Sequence, residues 1–144
     1  MKYFLSLSLL LIFSCSSVKN QADAKKTKPV SLKGTSWTLS SVPDFKMEKL
    51  KNPATLNFSD SSNRVGGYSG CNGFGGTYTV NGTELKMTDI LGTLKACMPG
   101  MKTESSLYRA LNNTDHYKIS GGKLVLMKGT KVLAEFVPYK KGQK

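Results

Sequence analysis

Between Gly34 and Val137 the apolar positions mostly recur every second residue, in short runs separated by turn residues. That period places alternate side chains on one face of a strand. Gly34–Val42 (GTSWTLSSV) sets Trp37 and Leu39 together, and Ala54–Phe58 (ATLNF) does the same for Leu56 and Phe58. Further strands are predicted at Arg64–Tyr68, Phe74–Val80, Glu84–Ile90, His116–Ile119, Lys123–Met127 and Val132–Val137. Leu85, Met87 and Ile90 should face inward, and Leu91–Cys97 reads as extended chain. Pro43-Asp44, Asp60–Asn63, Gly121-Gly122 and Gly129 supply turns, and Pro138 closes the last strand. Asn81-Gly82 is the strongest hairpin signal, because both residues accept positive φ. Only Met101–Asn113 has a helical period, with Leu107, Ala110 and Leu111 on one face and Met101 and Tyr108 beside them. Pro99-Gly100 breaks the chain before it; Thr103 with Glu104 reads as its start and Asn112-Asn113 as its stop. Strand–helix–strand repetition is missing, which argues against a parallel sheet. The pattern predicts a mainly β (α+β) domain. Its single antiparallel sheet of about seven or eight strands curls or closes into a flattened barrel, with the helix over one opening, because closure removes exposed edges.

One stretch interrupts the alternation. Gly66–Tyr78 (GGYSGCNGFGGTY) holds six glycines in thirteen residues, with Cys71 near the middle. Glycine lets a second backbone approach closely, so this stretch should be where strands bend and cross. Tyr78, Phe74 and Trp37 are expected in the core by their area, and Tyr68 at a contact surface. Asn72 is expected to serve as a polar plug, its amide bonding the backbone groups that the bends set free. A ligand-binding role for Gly70, Asn72, Tyr78 and Thr93 is the sharper alternative, since binding residues favour loops on a rigid scaffold. Arg64 is a further polar group beside the stretch.

The N-terminal residues have another character. Lys2 precedes an apolar run, Tyr3–Phe13, of signal-peptide length and too short to span a bilayer. The run ends at Ile12-Phe13-Ser14-Cys15, which resembles a bacterial lipobox. Residues 1–14 are therefore expected to be a lipoprotein signal and Cys15 the lipidated new N-terminus. Serine rather than aspartate follows at position 16, which in lipoprotein sorting points to the outer membrane, facing the periplasm or the cell surface. An ordinary secretory signal is the alternative. Residues 15–33 are polar and lysine-rich, too poor in apolar side chains to fold, and are expected to form a flexible tether. The domain proper is placed at 34–139 and a basic tail at 140–144.

The chain carries 21 basic and 9 acidic residues, a formal charge of +12. Most of the excess lies on the two ends; residues 34–139 hold twelve basic and eight acidic side chains. Basic ends suit an anionic membrane surface or simple solubility. No basic stripe interleaved with aromatics marks a nucleic-acid face.

With Cys15 assigned to lipid, Cys71 and Cys97 remain. In an exported protein two leftover cysteines are expected to pair. A loop of about 27 residues closed in this way is stabilised by about 3–4 kcal/mol on chain-entropy arithmetic. A Cys–His enzyme would need one of them beside His116, the only histidine. Two cysteines and one distant histidine do not make a zinc pattern, and the glycine stretch lacks the lysine of a phosphate loop. No catalytic residue, metal or cofactor is expected.

GTSWTL (34–39), TLNF (55–58), GCNGFGGTY (70–78), TLKAC (93–97), the E-x-x-L-x-x-x-L spacing at 104–111 and YKISGGKLVLMKG (117–129) together resemble the META (HslJ-like) domain family. The most specific part is GCN followed later by T-x-x-A-C. The likeness covers nearly all of 34–137. It implies a compact β-rich domain with a helix in a bacterial envelope protein, linked to heat shock or other envelope stress, with no family-wide catalytic mechanism. Lys95 stands where methionine is common. The expectation is a monomeric, non-catalytic lipoprotein, anchored to the membrane at Cys15 and meeting an envelope protein partner. Alternatives are a protease-inhibitor-like or chaperone-like binding module and, last, a thiol enzyme.

Overall fold

The computed structural model describes residues 31–141. The signal stretch, Cys15, nearly all of the tether and the last three residues of the tail lie outside the described residues. Eight strands and one helix follow in chain order: β1 (Ser36–Ser41), β2 (Thr55–Phe58), β3 (Arg64–Tyr68), β4 (Gly73–Asn81), β5 (Glu84–Gly92), α1 (Met101–Asn113), β6 (His116–Ser120), β7 (Lys123–Lys128) and β8 (Lys131–Pro138).

Each strand pairs antiparallel with its neighbour in sequence, and β8 returns to pair with β1, so the sheet is a closed barrel. The inward positions are those the alternation marks. Trp37, Leu39, Leu56, Phe58, Phe74, Tyr78, Leu85, Met87, Leu124, Leu126, Ala134 and Phe136 share one core. Phe58 and Tyr78 meet edge to face at 5.0 Å, an arrangement their ring quadrupoles favour. Full burial of a side chain such as Phe136 stabilises the fold by about 1.5–3 kcal/mol.

The ring is uneven. Strands β4 and β5 form a long hairpin, whereas β5 and β6 share one register pair, Glu84 with His116. Two backbone bonds extend this seam, Leu85 N–H to the Asp115 carbonyl at 3.0 Å and Tyr117 N–H to the Thr83 carbonyl at 2.9 Å. Beyond them the strands separate. The helix enters the chain between these two strands and packs on β5, β7 and β8. Leu107, Ala110 and Leu111 are the side chains it buries, and they join the barrel core.

The helix begins differently from its sequence signal. Gly100, not Thr103, is the N-cap, and it offers no side-chain bond. Thr103 is buried one turn inside, and its amide is capped from a distant loop. The Glu48 carboxylate accepts Thr103 N–H at 2.8 Å and its hydroxyl at 3.0 Å. A free helix N-terminus leaves unsatisfied N–H donors and partial positive charge, which a carboxylate answers from any point in the chain.

Only part of the glycine stretch needs glycine. At Gly67 a Cβ would stand 2.1 Å from the Thr55 carbonyl oxygen of β2, and that backbone cannot move aside. At Gly73 the nearest atom would be 3.9 Å away. Gly67→Ala should therefore lower stability to urea by about 1–3 kcal/mol or more, as overpacking does. Gly73→Ala should change it by no more than about 0.5 kcal/mol. Equal effects in the two variants would contradict the close crossing of β2 and β3.

Candidate functional site

The turn joining β3 to β4, Ser69–Asn72, lies under the first turn of α1. Ser69 and Asn72 close it by an amide-to-carbonyl bond of 2.8 Å, and Gly70 takes a φ of 99°, open to glycine at little cost. Gly100, with a φ of 136°, stands against it: a Cβ there would be 2.6 Å from the Gly70 carbonyl oxygen. Two glycines thus let the turn and the helix start touch backbone to backbone.

Asn72 fills the junction and is 1% exposed. Its Nδ2 donates to the Lys95 carbonyl at 3.0 Å and to Glu104 Oε1 at 3.1 Å. Its Oδ1 accepts the Thr93 hydroxyl at 2.7 Å and the Lys95 amide at 2.8 Å. The reversed amide would set its NH2 against an N–H and its oxygen against a carboxylate, so the network allows one orientation. A primary amide has about four such capacities, and all are used. Glu104, half-buried on α1, also accepts Asn72 N–H at 3.2 Å and the Ser69 hydroxyl. Three donors converge on one carboxylate, which offsets its partial desolvation.

Cys71 and Cys97 are joined, with Cα atoms 5.6 Å apart and a separation of 26 positions in sequence. The bond fastens the chain after β5 to the same turn. Thr93 N–H adds a bond to the Gly73 carbonyl at 3.0 Å. Thr93, Lys95 and Cys97 are therefore tied to the turn by hydrogen bonds and sulfur, although Thr93 and Lys95 are exposed, as are the untied Leu94, Ala96 and Met98. Tyr108 packs edge-on against Phe74 at 5.7 Å. Burial, and then the nearby Glu104 charge, hold its phenol above the usual range.

The remaining residues singled out above are dispersed. Tyr78 lies in the barrel core, with its phenol raised by burial and by Tyr117. Trp37 is buried and donates Nε1–H to the Thr35 hydroxyl at 2.8 Å. Tyr68 is half-buried, and Arg64 is exposed on β3. His116 bonds Asp115 at 2.7 Å, and Asp115 also accepts the Gly129 amide at 2.8 Å. The His116 bond holds the Asp115 carboxyl below its usual range. Since the two cysteine sulfurs are bonded to each other, neither presents a thiolate to His116. Among the described residues, no group of three or more His, Cys, Asp and Glu side chains is placed to hold a metal ion.

Sequence reasoning missed Ser69, Glu48 and the central place of Glu104. A signal for Glu104 was present. It occupies the i position of the buried stripe 104, 107, 108 and 111, and a carboxylate on an apolar face needs a buried partner. Nothing local pointed to Glu48.

Two outcomes follow from this geometry. Asn72→Ala strands the Lys95 amide and removes the side-chain donor, one of three, from Glu104, so unfolding should become about 2–4 kcal/mol easier in denaturant titration. A variant as stable as wild type would remove the clasp. Thr103 N–H, chiefly, holds the Glu48 carboxyl below its usual value of 4.5. The stabilisation from a lowered carboxyl is complete above that value and fades as pH falls through the lower, folded-state value. Melting temperature should thus decline less between about pH 5 and pH 3 in Glu48→Gln than in wild type; parallel curves would contradict the cap.

The comparisons with known proteins agree with this architecture. A protein from Burkholderia xenovorans with an NMR structure superposes with a TM-score of 0.63 at 25% identity, over 85% of this chain and 97% of its own. A second NMR structure gives 0.59 at 22% identity, over 76% and 93%. A crystal structure of a DUF4847 family protein from Bacteroides vulgatus ATCC 8482 gives 0.55 at 16% identity, over 76% and 96%, a likeness of fold alone. No curated protein is significantly similar in sequence. The META domain profile matches residues 30–140, the whole barrel with its helix and its clasp, and the chain belongs to the META domain family.

Proposed function

We propose that this protein is a non-catalytic binding domain of the bacterial envelope, held at a membrane through lipid on Cys15. Membership of the META family supports a domain of this kind. One observation carries the binding reading. The polar groups of the GCN motif are spent inside the molecule, and what they fasten is a loop that displays apolar side chains. Leu94 is 101% exposed and Met98 89%. Of the six large hydrophobic residues exposed among the described residues, Leu94 and Met98 lie on this loop, Leu91 precedes it near the end of β5 and Met101 opens α1.

Exposed apolar side chains on soluble proteins commonly mark contact surfaces when they cluster. A loop already fixed by a disulfide and by hydrogen bonds at Thr93 and Lys95 loses little further entropy when a partner covers it. The clasp therefore serves the function indirectly: it holds Leu94 and Met98 outward for a protein partner. The Lys2–Cys15 stretch supports the anchor, which would keep this surface near the membrane.

Two experiments test the reading. Radiolabelled fatty acid should enter wild type and not Cys15→Ala; equal labelling ends the anchor proposal. A photocrosslinking residue at position 94 in cells should form a defined protein adduct that is lost in Cys71→Ser/Cys97→Ser. The same residue at position 123, in the β6–β7 hairpin, should give none. Identical adducts from both positions would contradict a binding role for the loop.

A further inference from the structure

An open groove of about 680 Å3 runs along α1. The helix forms one bank through Met101, Lys102, Ser105, Ser106, Arg109, Ala110 and Asn113, which recur as one continuous stripe. The β1–β2 loop at Pro43 and Asp44 and the β7–β8 hairpin at Lys128 and Lys131 form the other bank. At ~1.5 Å per residue the stripe is roughly 18 Å long. The volume spread over that length leaves a section of roughly 40 Å2, close to the roughly 48 Å2 that one strand occupies between stacked sheets. About five or six extended residues would fill it.

The groove has a sign. Lys102 and Arg109 stand on the helix bank and Lys128 and Lys131 on the hairpin bank, against Asp44 alone among the lining carboxylates. Neither salt bridge of the described residues involves any of the four cations. Lys128 has only a long contact, 3.5 Å, to the Asn113 side-chain oxygen. Glu48 is near Lys102, but its carboxylate is engaged by Thr103. Between the banks Val42, Phe45, Val132 and Leu133 are half-buried and give an apolar floor.

We propose that this groove takes an extended acidic segment of a partner protein, its carboxylates on the four cations and its apolar side chains on the floor. The inference deepens the binding reading above and rests on it only in that the partner is a protein; Leu94 and Met98 are not part of this surface. A flat bilayer could touch the rim cations but not the floor. A second copy would bring a body with twelve basic and eight acidic side chains between 34 and 139, the wrong sign for the site.

Fluorescence anisotropy of the full chain with a dye-labelled six-residue peptide alternating glutamate and leucine tests the proposal. A lysine–leucine peptide of equal length is the control. The acidic peptide should bind, more weakly as salt is added, and at least about tenfold more weakly to Arg109→Glu/Lys131→Glu. Leu94→Ser should bind it like wild type, and the double variant should melt like wild type. No binding at millimolar peptide, equal affinity for both peptides, or an unchanged affinity in the double variant overturns the groove assignment. So does retention of phosphatidylglycerol vesicles through Arg109 and Lys131 while the peptide is ignored. Crosslinking at position 94 would survive each of those results, so the two readings fail separately.

Discussion

The structure depends on a single buried amide. Asn72 ties the β3–β4 turn to α1 through Glu104 and to the loop after β5 through Lys95 and Thr93. Three segments distant in sequence meet at one side chain, and each needs the others. Glu104 would be a costly half-buried carboxylate without its three donors. The Lys95 amide and carbonyl would both lose a partner without the amide of Asn72. Such a network is worth keeping only when every member is satisfied, because a stranded polar group in a low-dielectric setting costs more than the bond it replaces. The disulfide between Cys71 and Cys97 acts on the same junction by covalent means. It limits how far the two chains can part, whereas the amide network sets how they face.

The placement of this junction follows from the barrel. An eight-stranded ring of short strands must be pinned where its hydrogen bonding is thinnest, and here that is the β5–β6 seam. The chain leaves β5, passes the clasp, forms α1 and returns as β6. The helix then covers with Leu107, Ala110 and Leu111 the apolar interior that the seam leaves uncovered. Fixing the helix start at Gly100 therefore also secures the barrel. Gly67 and Gly100 permit the approach, because at both a side chain would strike backbone.

An interior settled in this way leaves the surface free to vary. The clasp presents Leu94 and Met98 at one end of α1, and the groove with its cations runs along the length of the same helix. Both surfaces sit on parts whose backbone is already ordered, which limits the entropy lost on association. Helix α1 thus borders both the internal junction and the two proposed contact surfaces.

The strands, the helix and the core were legible because period two and period 3.6 are local properties: Leu56 with Phe58, or Leu107 with Leu111, announce a face within a few residues. Antiparallel order also followed from short turns such as Asn81-Gly82, and closure from the cost of open edges. Composition showed too that Asn72 sits among glycines beside a cysteine, so a polar plug was foreseeable. What it plugs was not. The helix bounds, Met101–Asn113, were legible, but the Thr103–Glu104 start signal was not the cap, because a local capping signal cannot reveal that Glu48, 55 residues earlier, supplies the carboxylate. Ser69 looked like one more small residue in a flexible stretch. Glu104 bonds residues more than 30 positions away, and the groove joins banks that begin at Val42 and end at Leu133. Side-chain chemistry and local period were thus determined by the sequence alone. Which charges meet, which are left facing solvent and which loop is held open were decided only by the tertiary structure, because those depend on distances between segments that no local pattern encodes.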